Sequence, residues 1–146
     1  MSVKQISVFL EHKPGTLYDM TMTLADNDII IKALNVTQDD RQSVARLVVD
    51  NVLWTSSILK NAGYSIKIDD VVIVNISNVT GGLNRILEIL NDAEINIEYM
   101  YSIMLIRNLK NTETCMIFEV DEFTRASNFL EKSGVKIIRH GELSEL

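Results

Sequence analysis

GTLYDMTMTLADNDIII at residues 15–31 and GGLNRILEILNDAEINI at residues 81–97 render one pattern twice. With a shift of 66, Gly15 falls on Gly81, Leu17 on Leu83, Leu24 on Leu90, Ile29 on Ile95 and Ile31 on Ile97. Farther along, a shift of 71 pairs Val49 with Val120, Asp50 with Asp121, Gly63 with Gly134 and Ile66 with Ile137, so the second copy carries a hairpin five residues longer. A period this long, present twice, means duplicated domains, because a solenoid needs three or more repeats to bury its core. The boundary falls near Asp69 and Asp70, which predicts modules at 1–69 and 70–146. No Gly/Ser-rich or Pro-rich stretch separates them, so the copies are expected to pack together rather than swing on a tether.

Around these stretches the hydrophobic period alternates between two and about three and a half. Ile6, Val8 and Leu10 alternate as a first strand, and Val72, Val74 and Ile76 repeat it. Leu17, Met20 and Leu24, like Leu83, Ile86, Leu87 and Leu90, share one helical face. Second strands are predicted at 29–36 and 95–104, and third strands carry Ala45, Leu47 and Val49 or Met116, Phe118 and Val120 inward. Polar connections at 38–41 and 107–112 turn the chain. Asp50 and Asp121 stand where a side-chain oxygen caps a second helix, and Gly63 and Gly134 where a left-handed residue ends it. Trp54, Ile58 and Ala62 make one stripe on that helix, and Phe123, Ala126 and Leu130 make the other. Last strands follow at 65–69 and 135–139. The result is an α+β chain of two ferredoxin-like βαββαβ modules, each an antiparallel sheet with both helices on one face.

Composition narrows the function classes. The chain has 146 residues, 47% of them hydrophobic, and a net charge of −6 from 14 basic and 20 acidic side chains, with no basic stripe. Nucleic acid and anionic membranes are therefore not expected partners. Cys115 has no second cysteine to pair with, and His12 and His140 lie too far apart in sequence for a zinc pattern, so no metal or cofactor is expected. Buried packing is the expectation for Cys115. The first ten residues lack a secretory h-region, and no run reaches the roughly 18 apolar residues of a membrane span, which makes the cytoplasm the expected address. Neither a phosphate loop, a dinucleotide fingerprint nor a nucleophile elbow is present, so catalysis is not expected.

The loop after each first strand says more. Copy one runs Leu10-Glu11-His12-Lys13-Pro14-Gly15-Thr16-Leu17, and copy two runs Asn78-Val79-Thr80-Gly81-Gly82-Leu83; the second strands open at Ile29-Ile30-Ile31 and Ile95-Asn96-Ile97. On residues alone, the loop is either a tight corner or an anion site. Proline at a helix's first position costs no hydrogen bond, and glycine beside it leaves the amides of Gly15, Thr16 and Leu17 open to a carboxylate.

Pro14-Gly15-Thr16-Leu17 and Ile95-Asn96-Ile97, set in a duplicated βαββαβ frame, resemble the signatures of the ACT family over nearly the whole chain. That resemblance implies a regulatory module binding a free L-amino acid, between one module's loop and the other's second strand. It implies a first site from Leu10, Glu11, His12, Lys13, Pro14, Gly15, Thr16 and Leu17 with Asn96. A second would join Asn78, Val79, Thr80, Gly81, Gly82 and Leu83 to Ile30. The first has more polar groups for an ammonium and a carboxylate and is the preferred pocket at this level. The alternative is an interaction module or regulatory subunit of an amino-acid metabolic enzyme without a ligand of its own.

Two expectations concern sheet faces. Ile30, Leu34, Met100 and Ile117 read as outward and too apolar to stay bare, which predicts a homodimer. Tyr99 and Tyr101 read as lying on the face of Ile95 and Ile97, in the core.

Overall fold

The structure is a computed structural model that describes residues 2–40, 42–77, 79–103 and 113–145. It divides into two compact units: one spans Lys4–Asp69, and the other runs from Asp70 onward and takes in Ser2 and Val3. Serine 2 donates its hydroxyl to Asp70 Oδ1 at 2.6 Å within that second unit.

In the first unit β1 (Val3–Glu11) leads into α1 (Thr16–Ala25), then β2 (Ile31–Asp39), β3 (Gln42–Val49), α2 (Val52–Asn61) and the opening of β4 (Ser65–Ser77). The strand order is β2-β3-β1-β4. Antiparallel register sets Leu47 opposite both Ile6 and Leu34. Period-two alternation sends Ile6, Val8, Leu10, Ala45 and Leu47 to one face, where Met20 and Leu24 of α1 and Leu59 of α2 close over them. Each of the larger of these side chains gains roughly 1.5–3 kcal/mol from burial.

The rest of β4 serves as first strand of the second unit, followed by α3 (Gly82–Asp92), β5 (Ile97–Ser102), β6 (Glu113–Val120) and α4 (Phe123–Lys132). Its order is β4-β6-β5, with Val72 opposite Phe118. The core joins Val72, Val74, Ile86, Leu90, Phe118 and Leu130. Cys115 is buried, and its thiol donates to Asn75 Oδ1 at 2.6 Å. The longer second hairpin, including Met104 and 107–112, lies outside the described residues, as does Arg41 in the first.

Duplication is written in the backbone as well. Positive φ recurs at equivalent places: Gly15 and Gly81, Asp28 and Glu94, Gly63 and Gly134. The two helix-ending glycines adopt the left-handed conformation the sequence predicts for them.

Four expectations are corrected. The last strand at 135–139 reduces to a single bridge of Ile137 with Val74 and an Ile138 N–H bond to Ile73 O at 2.9 Å. Arg139 instead turns into a 3-10 helix (His140–Glu145), with its carbonyl taken by Glu142 N and its amide by Glu142 Oε1. Asp50 and Asp121 do not cap helices. Asn51 caps α2 by accepting from Trp54 N at 3.0 Å, while α4 follows Glu122 with no side-chain cap bond.

On α2 the buried positions are Thr55, Ser56, Ile58 and Leu59, and Trp54 is half exposed. Finally, a bulge between Ile31 and Ala33, repeated between Ile97 and Tyr99, shifts the parity of both second strands. Leu34 and Met100 consequently pack into their own cores, and Tyr99 and Tyr101, stacked at 6.4 Å, leave the face of Ile97. Ile117 is fully buried. Of the four outward apolar positions only Ile30 stands exposed, at 44%. No helix among the described residues is long and apolar enough to cross a membrane.

Candidate functional site

In each unit the first strand stops, the chain turns through a left-handed glycine, and a helix begins. Gly15 (φ 92°) is the N-cap of α1 and Gly81 (φ 86°) that of α3, conformations that a side chain would strain. Pro14 lies one residue before that cap rather than at the first helical position. The helical ladder starts with Asp19 N–H to Gly15 O at 2.9 Å, and with Arg85 N–H to Gly81 O at 3.0 Å. Amides between glycine and ladder, those of Thr16, Leu17 and Tyr18 in copy one and of Leu83 and Asn84 in copy two, take no acceptor among the described residues. The Gly82 amide is already spent on Val79 O at 3.0 Å.

The two loops use their side chains differently. In copy one Lys13 Nζ sits 3.0 Å from Glu11 Oε2, and His12 Nδ1 lies 3.1 Å from Ser43 Oγ. Thr16 donates its hydroxyl to both Glu11 O (2.9 Å) and Lys13 O (3.1 Å). Leu10 is buried in the core, and Leu17 packs against it. Beside this loop is a 350 Å³ depression to which Leu10, Glu11, Lys13 and Thr16 contribute along with Asp19 and Tyr64.

In copy two Asn78 lies outside the described residues. Val79 and Thr80 are exposed, and Leu83 is 40% exposed. Two cavities flank this loop and share Ile76, Val79, Gly81 and Gly82. One, of 630 Å³, is walled by Ile76, Val79, Leu83, Leu87 and Met116, with Asn84 and Thr114. The other, of 480 Å³, carries Arg85 and Lys136. Arg85 is held by Ser133 O at 2.6 Å and Lys136 by Glu142 at 2.9 Å.

The second-strand residues are tied down within their own units. Asp121 accepts from the Asn96 amide N–H and from Asn96 Nδ2, both at 3.1 Å, and Asp50 accepts from Ile30 N at 3.3 Å. Neither Ile30 nor Asn96 lines the cavities described, and His12 does not either. Sequence reasoning missed Ile76, Asn84, Leu87, Thr114 and Met116. Strand pairing was the available signal, since Ile76 stands opposite Thr114 and Val74 opposite Met116. No cluster of His, Cys, Asp and Glu among the described residues could hold a metal ion.

A family model described as an ACT domain pair matches residues 1–146. Among solved structures, protein BT0572 from Bacteroides thetaiotaomicron is similar at 28% identity and a TM-score of 0.89, covering 100% of this chain and 98% of that one. The ligand-free regulatory subunit of aspartate kinase from Thermus thermophilus superimposes with a TM-score of 0.64 at 14% identity, over 90% and 93% of the two chains. A structure of aspartokinase alpha and beta subunits gives 0.60 at 20% identity, over 91% and 93%. No curated protein matches the sequence.

Proposed function

Because this chain belongs to the ACT domain pair family, we propose that it is a non-catalytic regulatory protein that binds a free L-amino acid at the loop between first strand and first helix of a module. One observation carries this reading: a left-handed glycine is followed by helix-start amides that no described protein atom accepts, in both copies. Such amides offer a carboxylate charge-assisted bonds of about 1.5–3 kcal/mol each. After the costs of association, a dissociation constant between roughly micromolar and millimolar follows. The likeness to the Thermus thermophilus protein supports the fold alone, and that protein's being a regulatory subunit of aspartate kinase agrees with a client metabolic enzyme as partner.

A second reading is a module that binds a protein and no metabolite. Leu53 at 86% exposure and Trp54 at 50%, adjacent on α2, favour it. A thermal-shift panel of the common L-amino acids separates the two, since a ligand selective for the native state raises Tm by mass action. One or a few responders support the sensor. A flat panel at millimolar concentration removes it and leaves the interaction module.

A further inference from the structure

Building on that amino-acid reading, we infer that the loop of the second copy is the binding site and that it selects an L-amino acid with a large apolar side chain. The polar side chains of the first loop are already partnered: Glu11 with Lys13, His12 with Ser43 of β3, and the Thr16 hydroxyl with two loop carbonyls. Its depression also carries two acids, Glu11 and Asp19, against one lysine, and that balance repels a carboxylate.

At the equivalent positions of copy two, Val79 replaces Lys13 and Arg85 replaces Asp19. No acidic side chain among the described residues lines either cavity there. The larger one, 630 Å³, falls within the roughly 300–1,000 Å³ of small-molecule sites. Its wall is apolar where copy one is charged. Leu17 of the first copy packs onto its core, but its counterpart Leu83 stays 40% exposed at the cavity, and Val79 beside it is 62% exposed. Leu83 and Asn84, whose amides have no acceptor among the described residues, both line this cavity. An amino acid laid with its carboxylate on those amides, its ammonium toward the Asn84 side-chain carbonyl, and its side chain along Ile76, Leu87 and Met116 satisfies both ends of the site.

The test is calorimetry on the full chain with L-Ala, L-Val, L-Leu, L-Met, L-Phe, L-Ser, L-Asp and L-Lys. Affinity should climb by about fourfold per buried methylene from Ala to Leu, with Ser, Asp and Lys the weakest. Val79→Asp and Leu83→Glu alter exposed side chains, so the fold survives, and each should weaken L-Leu by at least about tenfold. His12→Ala should leave it unchanged. Preference for Ser, Asp or Lys, or loss of binding on His12→Ala but not on Leu83→Glu, overturns this inference while the amino-acid reading stands. Silence across all eight ligands overturns this inference, and the amino-acid reading falls with it only when the full thermal-shift panel is flat as well.

Discussion

Asp50 and Asp121 show how one residue type at one register position serves a need that sequence spacing does not disclose. An aspartate just before a helix reads as its cap, yet here the carboxylate turns back to the residue that opens the second strand of its unit, Ile30 before β2 and Asn96 before β5. Asp121 grips Asn96 by main chain and side chain, and Asp50 holds only the Ile30 amide and its own neighbour Asn51. Asp121→Ala should therefore cost about 1–3 kcal/mol in a denaturant titration, and more than Asp50→Ala. Equal losses would show that the Asn96 side-chain bond contributes nothing.

Glu142 is the other residue whose chemistry is set locally. A hydrogen bond from Lys136, then one from the Arg139 amide, holds its carboxyl below the ordinary 4.5, against a smaller opposing push from burial. A depressed carboxylate contributes stability that is present above the unfolded value and lost as pH falls through the folded one. Acidification below about pH 4.5 should thus loosen the closing 3-10 helix. Lys136→Met should raise the Glu142 midpoint in an NMR titration, and an unmoved midpoint would remove lysine as the cause.

At the scale of elements, periodicity located every α-helix of the described residues and misphased one. Val52-Leu53-Trp54 is apolar throughout, so the pattern alone cannot say which residue faces in. The internal repeat could have said: a shift of 71 sets Val52 on Phe123 and Leu59 on Leu130, and it is Val52 and Leu59 that pack inward. Leu59→Ala should cost about 2–5 kcal/mol by opening a core cavity, whereas Trp54→Lys should stay within about 0.5 kcal/mol. The reverse ranking in thermal unfolding would contradict the burial of this helix. Strands failed differently, because one extra residue at Lys32 and at its counterpart Glu98 exchanges the faces of everything beyond it. No composition marks such a bulge.

For the whole molecule, the two copies are alike in backbone and unlike in loop chemistry, so one ligand per chain is the expected calorimetric stoichiometry; two equal sites would contradict that asymmetry. Self-association loses three of its four sequence supports once Leu34 and Met100 are found partly buried against their own cores and Ile117 fully buried. Ile30, with exposed Leu53 and Trp54, is what remains for a dimer or a client to cover. Sedimentation of the purified chain at dimer mass would favour the former, and monomer mass would leave the surface to a client.

The sequence by itself determined the duplication, the order of elements through α4 and the left-handed glycines at 63 and 134, because each is written in local periodicity or in a single residue's backbone freedom. The tertiary structure alone decided which loop stays open, which face a strand presents beyond its bulge, and which partner an aspartate takes. Those outcomes depend on residues far apart in the chain meeting within a few ångströms, as Ser43 meets His12 and Met116 closes the cavity beside Leu83, and no short-range pattern encodes such a meeting.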